Sequence, residues 1–398
     1  MTPGNSVQRV AIACGGTGGH LFPGLAVAGE LASHGTEVML FVSTKDVDQR
    51  ALRGHAASYR VETLPVVGLS GGNVPAFLLA TWRGYRRVRR SFDAWRPEAV
   101  LAMGGFTSAA PVLAGRRRGA FCFLHESNAF PGRATRWLSR IADECFLGFA
   151  AAAPHLAHCR TYVTGTPVRS EFRGQTPAAA RAVLGLAPDR PVLLVMGGSQ
   201  GARGVNQLAT AAMPALAARH PELQFCHLTG PTDAEVVRAA YASAGVPARV
   251  FPFSDRMDSL LAAATLTMSR SGASSLAEIA AVRVPAVLVP YPDATDDHQR
   301  LNAEAFVNAG AARMLDQRTA SPEQVGAVIN SLLEDSELRK RMQEALAALD
   351  APAAAARIAD GIEERWALPG ARLAGSVRRS KSPSEAGRSL KGARTGIA

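Results

Sequence analysis

No run of about 18 uncharged apolar residues, the length a membrane-crossing helix needs, occurs in the 398-residue chain. That absence excludes a spanning helix. The stretch from Met1 to Arg9 is polar and has no apolar core leading to a cleavage site. A secretory signal is therefore not expected, and the chain is expected to stay in the cytosol. Cysteine is scarce. Cys14, Cys122, Cys145, Cys159 and Cys226 show no C-x-x-C spacing, and most lie in apolar runs, so they read as reduced structural thiols. Aromatics make up only 6% of the chain, but 47% hydrophobic residues is a globular composition. No cluster of metal-ligating residues stands out, and neither a metal nor a cofactor is expected.

The length exceeds one ordinary core, so two domains are the default. The net charge of +11 is unevenly placed. From Ala367 onward there are seven Arg or Lys and a single acid, Glu385. This Ser-, Gly- and Arg-rich stretch (367–398) is expected to be disordered. Its charge suits nucleic acid or anionic lipid, or the stretch is a solvated extension with no role.

Apolar runs that read as strands alternate with helical stretches from end to end. The strands are expected at 10–14, 37–42, 99–102, 120–124, 144–147, 192–196, 224–228, 248–251, 266–269 and 286–289. Helices are expected at 25–34, 178–184, 204–219 and 232–244 among others. This alternation predicts an α/β chain with parallel sheets. Gly165, Thr166 and Pro167 punctuate the pattern, which places a domain boundary there. Domains are expected over 7–166 and 167–350, with a helix at 351–366 packing back on the first.

Two glycine-rich turns dominate the chain: Gly15-Gly16-Thr17-Gly18-Gly19-His20 and Gly197-Gly198-Ser199-Gln200-Gly201. Each follows a buried-strand pattern and opens a helix. Free backbone N–H groups and a positive dipole end converge there, a ready phosphate site. The first turn lacks the third glycine of a dinucleotide fingerprint and the Gly-Lys-Ser/Thr ending of a P-loop. His20, at a helix start that disfavours imidazolium, is a candidate base. The second turn also matches the nucleophile elbow of serine hydrolases, with Asp293, Asp296, Asp297 and His298 downstream. Asp46-Val47-Asp48 has the spacing of a sugar-transferase metal motif. Ser275-x-x-Glu278 is either a capping box or part of a helix start whose carboxylate accepts from a ribose diol. Gln299 and Asn302 share a helix face and could bind sugar hydroxyls. Phe77, Leu78, Leu79 and Trp82 precede Arg83, Arg86, Arg87, Arg89 and Arg90, the composition of an interfacial helix on anionic lipid.

Taken in order, these blocks resemble a known family. Gly15 to His20 with Phe22-Pro23-Gly24, then Met103 to Ser108, His125 to Gly132, Gly165 to Arg169, Gly197 to Ala202, Arg270 to Glu278, and Gln299 with Asn302 are similar to glycosyltransferase family 28, over about residues 8–366. The resemblance implies a GT-B fold, two doubly wound Rossmann-like domains with the site in the cleft between them. It implies transfer of GlcNAc from UDP-GlcNAc to the C4 hydroxyl of MurNAc in lipid I, giving lipid II for peptidoglycan, with inversion and without a metal. Another GT-B transferase with a UDP-sugar and a lipid acceptor is the alternative. By position, Thr17, Gly18, Gly19 and Asn128 would meet the donor from the first domain. Arg169, Ser199, Ser254, the stretch Ala273, Ser274, Ser275, Leu276, Ala277 and Glu278, and Gln299 would hold it from the second. His20 and then Glu126 would be the candidate bases. The implied location is peripheral, on the cytoplasmic face of the inner membrane. The implied partners are UDP-GlcNAc, lipid I, the anionic membrane surface and proteins of cell-wall synthesis and division, but not nucleic acid.

Overall fold

The computed structural model describes residues 7–45, 48–49, 58–65, 74–198 and 201–367. Asp46, Ser199 and the basic tail after Ala367 lie outside these residues.

Seven strands form the first sheet: β1 (Arg9–Ala13), β2 (Glu37–Ser43), β3 (Arg60–Leu64), β4 (Ala99–Ala102), β5 (Phe121–Glu126), β6 (Glu144–Leu147) and β7 (Arg160–Val163). Their order is β3-β2-β1-β4-β5-β6-β7, and every pair is parallel. Parallel sheets are covered on both faces, which is why β1, β4 and β5 read as continuous apolar runs. Val10, Ile12, Leu40 and Leu101 fill one face and Ala11, Phe41, Val100 and Cys122 the other. The flanking helices are α1 (Gly18–Ser33), α2 (Val74–Trp95), α3 (Ala109–Arg117) and α4 (Arg133–Leu138).

The second sheet has β8 (Val192–Met196), β9 (Gln224–Leu228), β10 (Ala248–Phe251), β11 (Leu266–Ser269), β12 (Ala286–Leu288) and β13 (Ala312–Met314), ordered β10-β9-β8-β11-β12-β13 and again all parallel. Its helices are α5 (Pro177–Val183), α6 (Arg203–Arg219), α7 (Ala234–Ser243), α8 (Met257–Ala263), α9 (Ala273–Val282), α10 (His298–Asn308), α11 (Pro322–Glu334) and α12 (Ser336–Leu349). In each sheet the order reverses beside the strand that leads into a glycine turn, β1 or β8. Such switch points leave a crevice at the carboxyl ends of the strands.

The chain crosses between the sheets twice. The first crossing follows β7, and the second follows α12 and leads into α13 (Ala354–Ala367). Arg173 and Asp350 join the two crossings through a bidentate pair at 2.7 and 2.9 Å. Helix α13 returns to the first core, burying Ile358, Ala359 and Ile362 against it, with Trp366 edge-on to Phe121. All five cysteines are free thiols, four of them buried. Among the described residues no helix is long and apolar enough to cross a membrane.

Candidate functional site

The first turn leaves β1 at the floor of the crevice. A Cβ on Gly15 would run into the backbone of Val42 and Ser43, so only glycine lets the chain pass there. Helix α1 then starts at Gly18 with Thr17 as its N-cap residue. His20, in its first turn, lies with its ring against the backbone of Gly104 and Gly105. A Cβ on either glycine would sit 3.0 Å from a ring atom, which explains the Gly-Gly pair after β4. His20 Nδ1 is 3.1 Å from Thr17 Oγ1. Loss of solvent holds the His20 pKa below its ordinary 6.5, against the pull of the Glu126 and Asp48 carboxylates. The imidazole is therefore neutral at neutral pH, the form a base requires.

Glu126 ends β5, but its carboxylate is occupied. Oε1 accepts from Asn128 N at 3.0 Å and Asn128 Nδ2 at 2.9 Å, and Oε2 accepts from Gly132 N at 2.9 Å. This geometry makes Glu126 the clamp of the loop after β5, whereas His20 Nε2 makes no hydrogen bond among the described residues. Asn302, fully buried on α10, bridges to that loop. Its Oδ1 accepts from Ala129 N at 2.8 Å, and its Nδ2 donates to Asn128 Oδ1 and Ser271 O, both at 3.1 Å. Asn302 thus bolts the two domains together and has no free amide for a sugar.

On the opposite wall Arg169 follows the first crossing. Its guanidinium packs over Phe22 of α1 at 4.3 Å and Phe172 at 5.2 Å, and its buried Nε has no partner among the described residues. Gly272, not Ser275, is the N-cap residue of α9, so the expected capping box does not form. A glycine with extended backbone starts the helix two positions before Ser274, which puts Ser275 and Glu278 inside it. The Glu278 carboxylate has no hydrogen-bond partner among the described residues. Burial raises its pKa to about 7, with Arg169 drawing it down. Ala273 and Leu276 are buried, while Ser274, Ser275 and Ala277 are half-buried. Ser274 Oγ crosses the cleft to donate to Gly19 O at 2.8 Å. Gln299 is held by Tyr291 N on its Oε1 at 3.0 Å and by Ser271 Oγ on its carbonyl at 2.7 Å. Ser254 follows β10 at the same end of the sheet, its hydroxyl accepting from Arg256 N at 3.1 Å. Thr17, Gly18, Gly19, His20, Asn128, Arg169, Ser254, Glu278 and Gln299 are all on segments that leave carboxyl ends of strands or cross between the sheets.

The hydrolase reading does not survive the structure. Asp293, Asp296 and Asp297 pair with Arg318, Arg136 and Arg300, and His298 Nδ1 lies 2.7 Å from Thr295 O. Among the described residues no carboxylate orients His298 as a triad needs. Asp48, one half of the D-x-D spacing, is buried, and its Oδ2 accepts from Gly16 N. This role was not legible in the sequence. Its only signal was an acid a few positions beyond a strand adjoining the turn.

Helix α2 lies on the first sheet with Val88, Phe92 and Trp95 in the core. Leu79 and Trp82 are 47% and 53% exposed. Arg83, Arg86, Arg87, Arg89 and Arg90 are exposed, with Arg86 over the Trp82 ring at 4.7 Å and Arg87 paired to Glu62 at 3.0 Å. Phe77 and Leu78 fall in the first turns of α2, and their side chains lie outside the described set.

Comparison with known proteins agrees with this layout. Residues 10–147 match the glycosyltransferase family 28 N-terminal domain, and residues 192–359 match the family 28 C-terminal domain. The UDP-N-acetylglucosamine–N-acetylmuramyl-(pentapeptide) pyrophosphoryl-undecaprenol N-acetylglucosamine transferase of Pelobacter propionicus is 39% identical over 86% of this chain and 97% of its own length. The enzyme of that name from Acidithiobacillus ferrooxidans is 40% identical over 85% and 92%. The crystal structure of Acinetobacter baumannii MurG superposes with a TM-score of 0.70 at 28% identity, covering 90% of this chain and 99% of that one. A UDP-GlcNAc 2-epimerase from Neisseria meningitidis shares the fold, with a TM-score of 0.66 at 13% identity over 90% and 100%. With relatives this similar over nearly their whole length, the chain belongs to the MurG family of N-acetylglucosamine transferases, within glycosyltransferase family 28.

Proposed function

We infer that this chain transfers GlcNAc from UDP-GlcNAc to the C4 hydroxyl of MurNAc in lipid I, giving lipid II. One observation carries the catalytic reading. A desolvated imidazole at a helix start lies on the same cleft as a carboxylate and a buried Arg N–H that have no hydrogen-bond partner among the described residues. The hydroxyl attacks the anomeric carbon in a single inverting displacement. With Nδ1–H donating to Thr17 Oγ1, His20 Nε2 is the acceptor for the hydroxyl proton. That proton leaves late, so a weak base suffices. UDP departs with added negative charge. The α9 N-terminus, the glycine-turn amides and Arg169 supply the compensating field. Glu278 accepts from the ribose hydroxyls, and Gln299 offers its amide NH₂ to the sugar. Exposed Leu79 and Trp82 beside the α2 arginines support docking on an anionic bilayer, where the lipid acceptor resides. On this reading the enzyme works peripherally on the cytoplasmic face, within reach of cell-wall synthesis and division proteins.

The test is UDP release from UDP-GlcNAc and a short-chain lipid I analogue in excess EDTA. Release should require the acceptor and survive the chelator. In His20→Ala, kcat should fall by about 10²–10⁴, the usual worth of a general base, while UDP affinity holds. Donor binding without acceptor-dependent release would overturn the assignment. Equal loss of kcat and UDP affinity in the variant would make His20 a donor contact.

A further inference from the structure

Asp48 is 0% exposed and lies under the first glycine turn. Its Oδ2 takes three hydrogen bonds: from Gly16 N at 2.7 Å, Ser43 N at 3.0 Å and Ser43 Oγ at 2.6 Å. Lys45 Nζ donates to Gly16 O at 2.9 Å. The Gly16 residue is therefore gripped at its N–H by an anion and at its carbonyl by a cation. Asp48 Oδ1 is buried and has no hydrogen-bond partner among the described residues. A carboxylate that loses its water and leaves one oxygen unsatisfied is a poor choice for stability alone. Its arrangement is explained by what it holds: Gly16 is the second glycine of the turn, and α1 with His20 begins two residues later.

We propose that Asp48 is a positioning residue for glycosyl transfer, clamping the first glycine turn so that His20 keeps its place against Gly104 and Gly105. The proposal rests on His20 being the base. The clamp also acts through space. The charged groups acting on His20 are Glu126 from β5 and Asp48, which favour imidazolium, and Lys45, which opposes it. The adjoining His125 is itself held neutral by burial, with its pKa near 4. Thr17 Oγ1 contributes only its hydrogen bond. Removing the Asp48 charge leaves Lys45 less opposed, so imidazolium becomes harder to form.

The experiment is an NMR titration of the His20 ring, assigned with His20→Gln, in the wild type and in Asp48→Asn. It is combined with kinetics of Asp48→Ala. Asparagine keeps an acceptor oxygen for Gly16 and Ser43 while removing the charge. The His20 midpoint should move to lower pH in Asp48→Asn, and the acid limb of kcat should move with it. In Asp48→Ala the turn loses its clamp, and kcat should drop on the order of 100-fold, the scale of an ångström of misplacement. Calorimetric affinity for UDP-GlcNAc, held mainly by the second domain, should fall far less than kcat, as expected when the loss is mostly of transition-state interactions. An unmoved His20 midpoint with an unchanged pH profile overturns the proposal. So does an Asp48→Ala protein whose donor affinity, melting temperature and kcat collapse together. If the midpoint moves but the wild type transfers nothing, the functional reading fails and the clamp stands.

Discussion

On the proposed donor placement, Glu278 turns a ribose contact into a proton-linked event. Burial lifts its pKa from 4.5 to about 7, so roughly half of the empty sites hold a proton at neutral pH. A vicinal diol presents two donors and needs the carboxylate as acceptor. Affinity for UDP-GlcNAc, whose diphosphate does not titrate in this range, should therefore rise between pH 6 and 8, with a proton released on binding. Calorimetry in buffers of different ionisation enthalpy reads that proton directly. Glu278→Gln should bind weakly and without pH dependence. The same shift makes a statement about stability. The folded chain binds more protons than the unfolded chain between about 4.5 and 7, so this site costs nothing below that window and destabilises increasingly through it. Glu278→Gln should thus melt higher than wild type at pH 8 and alike at pH 4. A melting difference that grows toward acid would refute the assignment of the shift to burial.

At the level of elements, interior and exterior strands differed in how much the chain revealed. The expected strands at 99–102, 144–147, 192–196, 224–228, 248–251 and 266–269 coincide with β4, β6, β8, β9, β10 and β11. Those at 10–14, 37–42, 120–124 and 286–289 shift by one or two positions. The unread strands, β3, β7 and β13, are all edges of their sheets. An edge strand packs on fewer neighbours and tolerates polar residues, so Arg-Val-Glu-Thr-Leu in β3 and the mostly exposed β7 carry no apolar run. Helix α1 shows a similar limit. The helical stretch expected at 25–34 misses a start that holds Gly18, Gly19, Pro23 and Gly24, residues of low helix propensity. Helix α2 carries the second prediction. Its arginines are exposed but unequal, since Arg87 is already paired with Glu62. Reversing Arg83, Arg86 and Arg90 to Glu removes three attractions worth about 1 kcal/mol each at an anionic surface and adds repulsion. Partitioning onto vesicles with anionic phospholipid, followed by sedimentation, should fall by at least about 100-fold. Partitioning that survives the reversal would rule out this face as the membrane contact.

Across the whole molecule, the two glycine turns announced two domains, but the bonds that join them were not legible. Ser274 and Gly19 are 255 positions apart, and Asn302 and Ala129 are 173 apart. Pro23, inside α1, explains one of these bonds. Lacking an N–H, it cannot donate to the carbonyl four residues back, which is that of Gly19. Gly19 O is thereby left for Ser274 across the cleft. The helix is imperfect where the second domain needs an acceptor. Asn302 is the stronger bolt, since it satisfies groups on the Asn128–Ala129 loop and on Ser271 at once. Arg136 adds an exposed ion pair to Asp296 at 2.6 Å, worth little by itself. Interfaces made of a few polar bonds permit relative domain motion. Asn302→Ala would leave a buried N–H and a buried carbonyl without their partner, at a cost of about 1–3 kcal/mol for each group. Alanine at Ser274 removes one hydrogen bond, about 1 kcal/mol. Asn302→Ala should therefore split a shared thermal transition into two and enlarge the radius of gyration seen by X-ray scattering. Ser274→Ala should do neither, or far less. On the proposed placement UDP-GlcNAc touches both walls, so it should restore part of the compact state in Asn302→Ala. If Asn302→Ala melts as cooperatively as the wild type, with unchanged scattering, the two sheets are coupled elsewhere. The chain crossings at Gly165 and Asp350 would then be the place to look.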